Sequence, residues 1–145
     1  MKKIISYVAS LLIVISVAAA PDSKLIQAFN ETFPNAKNVK WSDAKDGYFV
    51  SFYQNENFEK VFYDKDGDFV CSWKYTDGAD LPTNVMMTLN KKYNQGKILG
   101  VTQLTTQDNI NYEVKISKGT KLYSVTFLSD GTIVKQDKFN NQQMQ

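Results

Sequence analysis

Apolar residues recur at three- and four-residue spacing in Leu25, Ile26, Phe29 and Phe33, which predicts an amphipathic helix with one buried stripe. Asp22 or Ser23 stands where an N-cap is needed, and Pro34 closes the helix. A second stripe runs through Leu81, Val85, Met86, Leu89 and Tyr93. Asp80 is placed to cap it, Pro82 suits its first turn, and residues 94–96 close it. Elsewhere the pattern switches to alternation, which predicts strands at about 37–42, 47–53, 58–64 and 68–75, then 97–105, 110–117, 120–128 and 131–137. Asp46-Gly47, Asp66-Gly67, Lys118-Gly119 and Asp130-Gly131 are the turn signals between them.

The same pattern is written twice. Tyr48, Val50 and Phe52 recur as Tyr112, Val114 and Ile116, and Asp66-Gly67 recurs as Asp130-Gly131, all at a spacing of 64. Leu25, Phe29 and Phe33 match Val85, Leu89 and Tyr93 at a spacing of 60, with the difference taken up in loops and the first strand. The expected fold class is α+β: two tandem repeats, each a helix followed by a four-stranded antiparallel meander, with the helices on one face of the sheet. The units are residues 21–79 and 80–138, preceded by a signal peptide over 1–20 and followed by a flexible tail over 139–145.

Alternation also sorts the faces. Tyr48, Val50 and Phe52, with Val61 and Tyr63, belong to the core beneath the helix. The opposite face then carries Phe49, Ser51 and Tyr53 beside Lys60 and Phe62. In the second unit the equivalent positions are Glu113, Lys115, Ser117, Ser124 and Thr126, a polar set. Outward aromatic residues lower solubility unless covered, and they are the material of binding hot spots. Phe49, Tyr53 and Phe62 are therefore the candidate contact patch, against the reading that a loop, the tail or the other unit covers them. Phe69, Cys71, Trp73 and Tyr75 share one face by alternation, and that face is expected to be core.

Charge and composition narrow the chemistry. All 17 basic residues are lysine, and histidine is absent. The commonest general base and the commonest transition-metal ligand are thus missing, as is the bidentate arginine grip on phosphate or carboxylate. No enzyme activity, metal or cofactor is expected. Lys2 and Lys3 precede an apolar run, and Ala18, Ala19 and Ala20 supply small residues for signal cleavage near Ala19 or Ala20. The run is short for a membrane span, so no stable membrane insertion is expected after cleavage. Removing residues 1–20 removes two lysines and no acid, which leaves 15 acidic residues balanced by as many lysines. A neutral surface without arginine is a poor nucleic-acid binder. The single cysteine, Cys71, has no disulfide partner and reads as a small buried apolar residue.

Asp64, Asp66 and Asp68 with Gly67 have a faint calcium-loop look, but the glycine and the final acid fall at the wrong positions, and a hairpin turn explains them. Asn30-Glu31-Thr32 fits a glycosylation triplet but lies within a predicted helix.

The stretch Phe33-Pro34-Asn35-Ala36-Lys37-Asn38-Val39-Lys40-Trp41 resembles the opening of the PepSY-like, beta-lactamase-inhibitor-protein-like family of exported bacterial proteins, common in the Bacteroidota. Gly47-Tyr48, Tyr63-Asp64-Lys65-Asp66-Gly67, Leu81-Pro82, Lys91-Lys92-Tyr93, Tyr112-Glu113-Val114 and Asp130-Gly131 continue the likeness along the mature chain. The resemblance implies two helix-plus-sheet repeats side by side and a concave sheet surface, which in the name-giving inhibitor grips a beta-lactamase. It implies no catalytic residues, and shape alone does not transfer inhibition to this chain.

The expected function is a periplasmic or secreted protein-binding module, an inhibitor or regulator of an envelope enzyme, with another envelope protein as partner. The alternative is a periplasmic carrier or sensor of a small apolar ligand.

Overall fold

The computed structural model describes residues 20–140. The expected signal peptide, Ala20 excepted, and residues 141–145 of the expected tail lie outside the described residues. Helix α1 (Ser23–Thr32) is followed by strands β1 (Lys37–Ala44), β2 (Gly47–Gln54), β3 (Asn57–Asp64) and β4 (Phe69–Thr76). Helix α2 (Thr83–Lys92) then leads into β5 (Lys97–Thr106), β6 (Ile110–Lys118), β7 (Lys121–Leu128) and β8 (Ile133–Asn140). The fold is α+β. All eight strands form one antiparallel sheet in sequence order, β1 to β8.

The α1 stripe behaves as its spacing requires. Leu25 and Phe29 are buried against Val50, Phe52, Val61 and Tyr63. Phe29 meets Phe52 edge-on at 5.1 Å and Trp41 at 5.4 Å, a geometry that aromatic quadrupoles favour. Asp22 caps the helix by accepting from the Lys24 N–H at 3.3 Å. Around α2, Val85, Leu89 and Tyr93 are buried with Val101, Tyr112, Val114, Ile116, Val125 and Phe127. The Tyr93 hydroxyl donates to Gln136 Oε1 at 2.6 Å and ties the end of α2 to β8.

The register shows that both helices lie on one face. Val61 sits opposite Ser72, and Thr76, on the same face of β4, sits opposite Val101, which in turn sits opposite Val114. The two cores share a side but no residue. Between them the helix side of β4 and β5 carries polar pairs, Ser72 opposite Thr105 and Lys74 opposite Gln103.

Three expectations need correction. Asp80 does not cap α2. Pro82 occupies the N-cap position without a side-chain bond, the helix begins at Thr83, and Asp80 instead approaches the Lys74 ammonium at 3.9 Å. Phe139 is not tail: it is paired opposite Leu122 within β8.

The third correction concerns β4. Tyr63 pairs with Phe69 and Phe62 with Cys71, so Val70 is an extra residue in the ladder. A bulge of this kind breaks strict alternation. Phe69 therefore packs on the α1 core, while Cys71, Trp73 and Tyr75 turn to the opposite face. The register also shifts in β8, between its pairs with Thr126 and Phe127.

Candidate functional site

The sheet face away from the helices carries no described element. Its residues follow from the register. Phe49 of β2 lies opposite Phe62 of β3, which lies opposite Cys71 of β4. One step along, Ser51 faces Lys60, Lys60 faces Trp73, and Trp73 faces Leu104 of β5. The next row is Tyr53, Phe58 and Tyr75.

Phe49, Tyr53 and Phe62 all lie on this face, as alternation predicts. Phe49 and Phe62 are half-buried against each other with ring centroids 4.6 Å apart, and Trp73 lies 6.2 Å from Phe49. The Lys60 ammonium sits over the Phe49 ring at 4.0 Å, a cation–π contact. Tyr53 is 45% exposed and belongs to a second group, with Phe58 at 5.3 Å and Tyr75 beyond it at 5.7 Å. Sequence reasoning assigned only three of these six aromatic rings to the patch. Phe58 alternates with Lys60 and Phe62 and so shares their face by strand period. Trp73 and Tyr75 were hidden by the bulge at Val70.

The second half of this face differs. Glu113, Lys115 and Ser117 of β6 stand beside Thr126, Ser124 and Leu122 of β7, and beyond them Lys135, Asp137 and Phe139 of β8. Ser124 and Thr126 are short while their neighbours are long, so a cleft of about 370 Å³ opens above them. The Ser124 hydroxyl donates to Glu113 Oε1 at 2.7 Å, and Lys135 pairs with Asp137 at 3.0 Å. That carboxylate holds the Lys135 ammonium above the usual lysine range by hydrogen bonding and charge.

Among the described residues the titratable groups elsewhere are engaged in structure. Burial pushes the Cys71 thiol up, which favours the unreactive protonated form. Cys71 is half-buried on the aromatic face rather than in the core. Burial raises the Glu59 carboxyl, partly offset by the Lys74 charge. Burial also raises the Tyr63, Tyr93 and Tyr112 hydroxyls. The aspartates of the β3–β4 turn are structural: Asp64 Oδ1 accepts from the backbone N–H groups of Asp66 and Asp68, both at 2.9 Å. Among the described residues no three of cysteine, aspartate and glutamate gather as metal ligands.

No protein-family model matches the chain, and no curated protein matches it. Solved structures do share the fold. A candidate periplasmic protein of Bacteroides eggerthii superposes with a TM-score of 0.68 at 18% identity, over 85% of this chain and 92% of that one. A protein of Bacteroides fragilis described as BLIP-like, that is, like the beta-lactamase inhibitor protein, gives 0.68 at 18% identity over 85% and 89%. A DUF2874 family protein of Bacteroides uniformis gives 0.66 at 20% identity over 81% and 88%. At these identities the likeness concerns the fold. Among the described residues no helix is long and apolar enough to cross a membrane.

Proposed function

We propose that this chain is an exported, non-catalytic binding module that holds another envelope protein against the open face of its sheet, as an inhibitor or regulator of an envelope enzyme. The observation that carries the reading is the patch of six aromatic side chains, Phe49, Tyr53, Phe58, Phe62, Trp73 and Tyr75, on a face that no described element covers. Aromatic side chains are enriched at protein interfaces, and Trp and Tyr are prominent among the few residues that dominate their affinity.

Four further elements belong to the proposal. The order of one helix and four strands, occurring twice, is read as a duplication of a PepSY-like unit. Export rests on the signal-like residues 1–20. One of the similar structures is described as BLIP-like and another as a candidate periplasmic protein, and these descriptions support mode of action and location respectively. The absence of histidine and arginine supports a role without catalysis.

The test is capture from the host periplasm with the mature protein as bait, beside a variant carrying Phe49→Ala, Tyr53→Ala and Phe62→Ala. A specific protein retained by the wild type and lost by the folded variant supports the reading. Equal retention by both would remove the aromatic patch from the site.

A further inference from the structure

We infer that the cleft over β6, β7 and β8 is a second binding site, for a small carboxylate with an apolar body. It is separate from the aromatic patch and does not depend on it. The groups left without partners define the ligand. Glu113 is engaged by the Ser124 hydroxyl, and Lys135 and Asp137 engage each other. The Lys115 ammonium, on the cleft wall, has no ion-pair partner among the described residues and is exposed.

Next to it, at the end of the cleft, Leu122 and Phe139 form an apolar wall. They are directly paired across β7 and β8, and Phe139 is 42% exposed. Ser117 completes that row from β6, and it is too short to cover them. A cation beside an apolar wall fits a molecule whose carboxylate meets Lys115 while its hydrocarbon part lies on Leu122 and Phe139. Asp137 stands across Ser124 from Lys115 with its charge taken up by Lys135, and Glu113, one row further from the apolar wall, disfavours a second carboxylate at that end.

The cleft volume of about 370 Å³ suits a small ligand, since ligand pockets run from about 300 to 1,000 Å³. The same chemistry is offered by a free organic acid and by the C-terminal carboxylate of a chain ending in an apolar residue.

The experiment is an NMR titration of the mature protein with 3-phenylpropanoate, with its neutral amide, and with an acetylated peptide ending in a free leucine carboxylate. The acid is expected to shift backbone amides of β6, β7 and β8 saturably, and the amide to shift them far less. Lys115→Gln should weaken the acid at least about tenfold, the size of one hydrogen bond to a charged group. Ser124→Phe, which fills the cleft floor, should abolish the response with the rest of the spectrum unchanged. Binding by the free acid but not the peptide identifies a small-molecule site, and binding by both identifies a site that also takes a chain terminus. The proposal is overturned if acid and amide respond alike, if Lys115→Gln binds the acid as well as the wild type, if the shifts centre on Phe49, Phe62 and Trp73, or if none of the three probes shifts the cleft.

Discussion

Single residues on the two faces of β2 test the division between core and surface. Phe52 is fully buried beneath α1, and Phe49, three positions earlier, is half-buried on the open face. Phe52→Ala should lower stability by about 3–5 kcal/mol through the cavity it leaves. Phe49→Ala should cost less, about 1–3 kcal/mol, the sum of half a Phe burial and an aromatic pair. Urea unfolding of the two variants checks the contrast.

Two glycines with the same φ make a second comparison. Gly67 and Gly131 both have φ +87, yet a Cβ at Gly67 meets only Leu25 at 3.8 Å, whereas at Gly131 it would lie 2.5 Å from the Asn84 carbonyl oxygen of α2. Gly67→Ala should cost about 1–2 kcal/mol for backbone strain alone. Gly131→Ala should cost clearly more, because α2 must also move away from the β7–β8 turn.

Glu59 carries the pH dependence that can be read most directly. Its folded pKa is raised above the ordinary 4.5, first by burial and against the opposing charge of Lys74. The folded state therefore binds this proton more tightly than the unfolded chain does. The stabilising contribution is complete below the unfolded value and is lost as pH rises through the folded one. Glu59→Gln should raise the melting temperature slightly near neutral pH, and the difference from wild type should vanish in acid below the ordinary carboxylate range. A pair of melting curves in acid and neutral buffer decides this.

At the scale of elements, the helices depend on packing more than on their ends. Each is 10 residues long, below the length at which an isolated helix persists in water. Only α1 has a side-chain cap, the 3.3 Å contact from the Lys24 N–H to Asp22. Asp22→Ala should therefore cost about 0.5–1 kcal/mol, the low end for a lost cap, measurable as a shift in the urea midpoint. The strand elements owe their faces to bulges. In β4 the extra Val70 puts Phe69 into the core and leaves Trp73 and Tyr75 with Phe49, Phe62 and Phe58. Without it the same residues would have split differently, and the aromatic face would lose a third of its rings.

Across the whole molecule, two apolar cores are joined by a sheet that is continuous but polar at the join. The β4–β5 ladder holds Ser72 opposite Thr105 and Lys74 opposite Gln103 on the helix side. Val114→Ala in the α2 core, where Val114 is fully buried, should cost about 2 kcal/mol. Hydrogen exchange should show the loss of protection concentrated in β5 to β8, with β1 to β3 less affected. Uniform loss across all eight strands would show that the polar join transmits stability as well as a core does.

Much of this arrangement was decided by local pattern. Val85, Met86 and Leu89 can pack on one core together only on a helix, because a strand would send Val85 and Met86 to opposite faces, and Val50 and Phe52 can share a face only on a strand, because side-chain direction follows backbone period. Helix and strand positions, the α+β class and the outward direction of Phe49, Tyr53 and Phe62 follow from that period alone. The absence of histidine and arginine likewise limits the chemistry in any fold. Other features needed the assembled sheet. An extra residue such as Val70 is a property of two paired strands, and alternation along one strand carries no sign of it. The cleft over Ser124 exists only because short residues of β7 stand between long ones from β6 and β8. The pairing of Leu122 with Phe139 depends on a strand that runs further than its polar composition suggests. These are relations between segments distant in sequence, and hydrogen-bond register across the sheet is what brings them together.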